Sequence, residues 1–291
     1  MTGPDRDGTS GSSSQDAAQV DPVRSHWTEK VDDWITWSNP MTVMAERFNW
    51  PFLEEIGIEP GHTVLDLASG VGEPALTAAS LVGTDGMVIA TDFVPEMLDG
   101  LRRRVEPHRL QLTAADMTAL PFPDEIIDRI SCRFGIMFVP DAVKAALECW
   151  RVLKPGGRIG FMVWGPRDDQ TLFSVLANAV EDFLNQRHDE HHFAIFRFGE
   201  DDSLPAILRQ TPFDNIREIS LRFSPKVQVH QTFWHAQLDM SFGHLLRDLD
   251  EDARKELDHL IRDRFSPYVT EDGLHYQLAA HIKIVTADKT V

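Results

Sequence analysis

The 291 residues carry 46 acidic and 28 basic side chains, a formal net charge of -18. At 42% hydrophobic and 25% charged, the chain can build one sizeable core, and its length suits one large α/β domain with a helical cap rather than two domains. The acidic balance argues against a surface that gathers nucleic acid by counterion release or adheres to anionic membranes.

Residues 1–20, including the stretch GTSGSSSQDAAQ, hold almost no large apolar side chains, cannot repay the entropy of ordering, and are expected to form a disordered tail. The absence of about 18 consecutive apolar residues, and of a basic start followed by an apolar stretch, predicts no membrane span, no signal peptide and a cytoplasmic protein. From 21 to 57 the pattern is helical and is expected to form an N-terminal cap. Trp27, Val31, Trp34, Ile35 and Trp37 recur at helical spacings, and a second helix over 41–56 is interrupted at Pro51.

From residue 58 onward strands and helices alternate, as in a parallel sheet covered on both faces. Strands are predicted at 63–68, 87–92, 110–114, 126–132 and 158–163, with helices at 74–81, 95–105 and 141–152 between them. Helices at 171–184 and 203–210 follow, then a strand over 216–229, a helical stretch over 232–265 and a final strand over 273–286. The helical insertion between the last two strands, about 230–270, is expected to be a lid over the ligand end of the sheet. Cys132 and Cys149 fall in a predicted strand and helix, and read as buried thiols rather than a zinc site or disulfide.

The sharpest local signal is VLDLASGVGEPA, from Val64 to Ala75, a buried strand running into a glycine turn and a helix. Gly70 and Gly72 supply positive φ or open access to the backbone, and Pro74 suits a first helical turn. Asp92 ends the next strand, where a carboxylate can accept hydrogen bonds from ribose hydroxyls. Gly70-x-Gly72-x-x-Ala75 with a distal acid also satisfies the dinucleotide fingerprint, so an NAD-type oxidoreductase stays open on these residues. Asp66 within the strand and Glu73 at the helix start put negative charge where pyrophosphate would sit, and suit a ligand with an ammonium group. The blander alternatives are an ordinary strand-to-helix turn at Gly70–Gly72, an N-cap at Asp92 and a plain turn at Asp116.

With VLDLASGVG, ATDFVPEML, Ala115-Asp116-Met117 and RVLKPGGRI in this order, residues 63–165 resemble class I S-adenosylmethionine (SAM) dependent methyltransferases. The resemblance is strongest to the group containing the ubiquinone and menaquinone C-methyltransferases. It implies an α/β, Rossmann-like doubly wound, mostly parallel seven-stranded sheet with an antiparallel last strand, and SAM as cofactor. Asp66, Ala68, Ser69, Gly70 and Gly72 would then surround the amino-acid part of SAM. Asp92, with Phe93 and Met97 of the same motif, would lie at the ribose. Asp116 would meet the adenine amino group, with Met117 along the ring, and Arg133 and Phe134 would flank the methionine moiety and sulfonium. Ala68-Ser69 departs from the Gly-Cys or Gly-Thr pair common in the family, and Ala75 stands in place of a third glycine. Neither change fills the cleft.

The implied activity is methyl transfer to a small-molecule acceptor through oxygen, nitrogen, carbon or sulfur. A catalytically silent SAM-binding or scaffold protein is the alternative from another class. A general base is needed only where the acceptor must lose a proton, so the cofactor motifs do not identify one. His230, His235 and Arg133 are the candidates, and each also reads as a packing or surface residue. Trp27, Trp34 and Trp37 suit an aromatic wall for the acceptor, core packing, or a homodimer contact. His188, His191 and His192 read as a solvated loop rather than a metal site.

Overall fold

The computed structural model describes residues 21–106, 110–186 and 194–290. The predicted tail at 1–20 and His188, His191 and His192 lie outside these. Two helices come first, α1 (Pro22–Thr28) and α2 (Val31–Ile56). The break between helices therefore falls at Glu29–Lys30 and not at Pro51, since α2 runs on through both Pro40 and Pro51. A proline inside a helix costs about 3 kcal/mol, but Phe52, Leu53 and Ile56 are completely buried just beyond it. At about 1.5–3 kcal/mol for each such side chain, burial outweighs the lost hydrogen bond.

A seven-stranded sheet follows, built from β1 (Thr63–Leu67), β2 (Met87–Asp92), β3 (Gln111–Ala114), β4 (Ile127–Arg133), β5 (Leu153–Trp164), β6 (Asp214–Phe223) and β9 (Ala280–Asp288). Its order is β3-β2-β1-β4-β5-β9-β6. β1 to β5 pair in parallel, whereas β9 runs antiparallel to both β5 and β6. The doubly wound sheet with an antiparallel last strand is thus present. Pro225 splits the predicted strand over 216–229, because it lacks an N–H for the ladder. The residues after it form β7 (Lys226–Gln228), paired in a separate ladder with β8 (His275–Gln277).

One face of the sheet packs on α2, α3 (Ala75–Val82) and α4 (Pro95–Arg102), the other on α5 (Ala142–Val152) and α7 (Ser203–Leu208). A Cβ on Gly160 of β5 would lie 2.4 Å from Ile56 Cγ1, so glycine lets α2 sit directly on the sheet. Cys132 and Cys149 are both buried free thiols, and burial pushes the Cys132 thiol up to about 12.

The predicted helical stretch over 232–265 is two helices, α8 (His235–Leu246) and α9 (Glu251–Phe265). Asp250 starts the second by accepting from Ala253 N at 2.8 Å. They build their own core with α6 (Thr171–Leu184), around Leu238, Phe242, Leu257, Ile261 and Phe265. α8 also meets α2: Trp37 Nε1 donates to Asp239 at 3.1 Å, and Lys30 Nζ to the Ser241 carbonyl at 2.9 Å. Among the described residues no helix is long and apolar enough to cross a membrane.

Candidate functional site

Parallel pairing brings the carboxyl ends of β1, β2, β4 and β5 side by side, with Leu67 opposite Thr91 and Cys132, and Arg133 opposite Met162. Two of the exits pass a non-glycine residue through the left-handed region, Ala68 at φ 51° and Phe134 at φ 59°. Such a residue costs roughly 1–3 kcal/mol and persists only where its surroundings over-determine it. Here Gly135 makes the fit, since a Cβ on it would lie 2.5 Å from the Ala68 Cβ. Within the loop, Gly72 takes φ 123° and faces inward, where a Cβ would meet Leu101 Cδ1 at 2.5 Å. Gly70, at φ 51°, has nothing within 4 Å of the place its Cβ would occupy, so it presents bare backbone to open space.

Asp66 is completely buried. Its Oδ1 accepts from Ser131 Oγ at 2.6 Å, while Oδ2 has no partner. Burial pushes the carboxyl up to about 7, against the opposing pull of the Ser131 and Ser69 hydroxyls and the Arg133 charge. Ser69 itself ties the turn, donating Oγ to the Asp66 carbonyl at 2.9 Å.

Asp92 accepts from Gly70 N at 2.8 Å and from Val94 N at 2.9 Å, so its carboxylate fastens the glycine loop to the β2 exit. It is not the cap of α4, whose N-cap is Val94. Burial raises the Asp92 carboxyl above its ordinary range, and the backbone hydrogen bonds oppose that shift. A carboxylate offers about four acceptor positions, so capacity for a ligand's hydroxyls remains.

Glu73 does not present bare negative charge at the helix start. Its Oε2 accepts from Asn49 Nδ2 at 2.7 Å, and its Oε1 lies 3.6 Å from Arg104 Nη2. Asp66, buried with Oδ2 unpartnered, is therefore the carboxylate that opposes a pyrophosphate ligand.

Arg133, at the end of β4, has a buried Nε without a hydrogen-bond partner. Burial lowers its pKa below the ordinary value, with Glu73 and Asp66 pulling the other way. Its guanidinium lies over the Phe134 ring at 5.4 Å. Phe134 in turn stacks on Trp164 at 4.2 Å and 6°, and Trp164 meets the edge of Phe173 at 4.9 Å. This aromatic run leaves no mark in the sequence, because Trp164 and Phe173 carry no motif and only pairing in space joins them to Phe134.

Met97 is buried with Val31, Val71 and Val94, seating the start of α2 over the glycine loop. Trp27 and Trp34 pack on this cluster, and Trp27 also meets Phe138 edge-on at 4.9 Å. Trp34 Nε1 is buried there without a partner. Phe93 lies beneath the Arg24 guanidinium at 5.9 Å. Asp116 is exposed and its Oδ1 accepts from Thr118 N at 2.8 Å, the geometry of a turn, with the other oxygen uncommitted. Met117 comes near Gly135, with Cε 3.7 Å from where a Cβ would stand.

The other two base candidates are placed elsewhere. His230 is exposed in a turn. His235 Nε2 lies 3.0 Å from both Asp258 oxygens, and Trp234 Nε1 donates to Asp258 Oδ1 at 2.8 Å, so His235 joins α8 to α9. Trp37 belongs to the α2–α8 contact. No group of three or more metal-ligating side chains occurs among the described residues.

The family model for a methyltransferase domain matches residues 64–157. An uncharacterized protein of Mycobacterium tuberculosis is 43% identical over 150 residues, covering 49% of this chain and 54% of that protein. A ubiquinone/menaquinone biosynthesis C-methyltransferase of Enterobacter sp. is 31% identical over 179 residues, covering 57% of this chain and 71% of that enzyme. The chain belongs to the class I SAM-dependent methyltransferase family. The first relatives are matched over about half their length, with 51% to 54% covered. Among solved structures, the phosphoethanolamine N-methyltransferase 2 of Haemonchus contortus, in complex with SAM, gives a TM-score of 0.53 at 19% identity, covering 84% of this chain and 53% of that one. That likeness carries the class I methyltransferase fold.

Proposed function

We propose that this chain transfers a methyl group from SAM to a small, planar acceptor. The carrying observation is a pair of buried atoms without a hydrogen-bond partner, on side chains of opposite charge at adjacent strand ends, Asp66 Oδ2 and Arg133 Nε. Leaving such groups unpaired costs about 1–3 kcal/mol or more each, and a ligand with both an ammonium and a carboxylate would satisfy both. The amino-acid end of SAM is such a zwitterion. NAD offers pyrophosphate instead, which the buried Asp66 disfavours.

On this reading the open side of Gly70 admits the cofactor and the remaining acceptor positions of Asp92 take the ribose hydroxyls. Ala68, Ser69 and Gly72 shape the loop, Phe93 and Met97 support it, and Asp116 with Met117 borders the adenine. SAM supplies an electrophilic methyl carbon; the protein's own work is to align the acceptor with it and keep water out. The Phe134–Trp164 stack offers a flat wall for an aromatic or conjugated acceptor. α1 and α2 act as a cap, and 230–270 as a lid, on a domain spanning 58–291. The acidic surface fits a cytoplasmic enzyme of small-molecule metabolism.

Titration calorimetry with S-adenosylhomocysteine tests the cofactor assignment. Binding is expected, reduced at least tenfold in Asp92→Ala. No binding, or binding of reduced nicotinamide cofactor in its place, would overturn it.

A further inference from the structure

His281 stands outside every motif, yet its surroundings are unusually specified. It is 1% exposed on β9, and its Nδ1 lies 2.9 Å from Asp169 Oδ2. Arg222 of β6 holds that same carboxylate oxygen. The His281 backbone is pinned as well: its carbonyl accepts from Gly165 N at 2.8 Å and from Gln170 Nε2. Gly165 has no room for a side chain, because a Cβ there would lie 2.4 Å from the imidazole Cγ. In this fixed ring Nε2 is buried and has no partner.

The position matters as much as the ring. β9 runs antiparallel to β5 and pairs Ile282 with Trp164. His281 therefore lies beside Gly165, just past the carboxyl end of β5. That is the end of the sheet at which β1, β2 and β4 deliver Ala68, Asp92 and Arg133, and open α/β sheets bind ligands beyond the carboxyl ends of their strands. Other charged groups near the imidazole are Asp169 from the segment after β5, Arg222 from β6, and Asp201, which is held by Lys283 Nζ at 2.7 Å.

We infer that His281 is the proton-accepting residue of the acceptor site, oriented by Asp169. Resting on the methyl-transfer reading above, this narrows the acceptor to one with an acidic O–H or C–H. With Nδ1–H donated to Asp169, Nε2 holds the lone pair. The acceptor's oxygen or carbon forms the bond to the methyl carbon with its own electron pair, and the methyl–sulfur pair stays on sulfur. The acceptor's proton passes to Nε2, and Asp169 stabilises the imidazolium. Asp169 is a positioning residue, acting through the ring.

The test uses the full chain and 1-naphthol as the probe acceptor. Long-range ¹H–¹⁵N NMR of histidine-labelled protein is expected to show a proton on Nδ1 of His281, facing Asp169, and a lone pair on Nε2, and the Nε2 resonance is expected to move when 1-naphthol is added with S-adenosylhomocysteine. His281→Asn keeps a donor for Asp169 but deletes Nε2. It is expected to bind S-adenosylhomocysteine within twofold of wild type, to lose about 10²-fold or more in labelled-methyl transfer to 1-naphthol, and to lose the acidic limb of the pH–rate profile. Asp169→Asn should lower transfer and displace that limb. A proton on Nε2, an Nε2 resonance indifferent to saturating 1-naphthol, or unchanged transfer in His281→Asn would each overturn the assignment. Failure of wild type to bind S-adenosylhomocysteine would instead overturn the cofactor assignment, while the NMR tautomer still reports on His281.

Discussion

Asp66→Asn separates the cost of a buried charge from its use. The carboxyl is moved from its ordinary 3.8 to about 7, and burial is the chief cause. At about 1.36 kcal/mol per pH unit, keeping Asp66 ionised in the folded protein costs roughly 4 kcal/mol above pH 7. The sign follows from proton binding: between about 4 and 7 the folded chain holds a proton that the unfolded chain has released. Stability should therefore fall as pH rises through that window and level off above it. Asparagine removes the charge and keeps an acceptor for Ser131, but leaves an amide donor buried at a cost of about 1–3 kcal/mol. The net expectation is a gain of about 1–3 kcal/mol at pH 8, shrinking toward zero at pH 5. Urea unfolding followed by tryptophan fluorescence at the two pH values measures this, and calorimetry should show S-adenosylhomocysteine affinity reduced at least tenfold. A variant that is destabilised equally at both pH values, or that keeps full affinity, would refute the reasoning.

Three further outcomes are expected. Arg133→Met removes a guanidinium whose buried Nε lacks a partner, so thermal stability should hold or rise slightly while affinity for S-adenosylhomocysteine drops at least tenfold by calorimetry. Gly135→Ala forces a Cβ to within 2.5 Å of Ala68 and should cost about 1–3 kcal/mol in urea unfolding, with the cofactor loop disturbed as well. Asp258→Ala strips Trp234 and His235 of their shared acceptor and should lower stability by about 1–3 kcal/mol. Because that pair joins lid helices, S-adenosylhomocysteine affinity should stay within twofold.

The strand ends were legible from sequence because a β-α alternation is written in short apolar runs. β2 has the bounds its pattern predicts, Met87–Asp92, and α6 likewise runs Thr171–Leu184. Two local rules misled. Pro51 reads as a helix break, yet the burial of Phe52, Leu53 and Ile56 holds α2 together, and burial depends on what lies opposite. The charge of Glu73 reads as part of the ligand site, yet Asn49 and Arg104, remote in sequence, occupy it.

The glycine loop, Asp66 and Asp92 could be identified one residue at a time, since each role follows from residue type and spacing along a single strand–turn–helix unit. Which groups are left unsatisfied could not. That Asp66 Oδ2 and Arg133 Nε are orphaned together depends on β1 lying beside β4. His281 follows the same logic. In sequence it is one histidine of a terminal strand; only the antiparallel insertion of β9 next to β5 puts it past the strand ends, with Asp169 fixing one nitrogen and leaving the other without a partner. Motifs record contacts made within a segment, whereas burial, pairing and unpaired charge are set where distant segments meet.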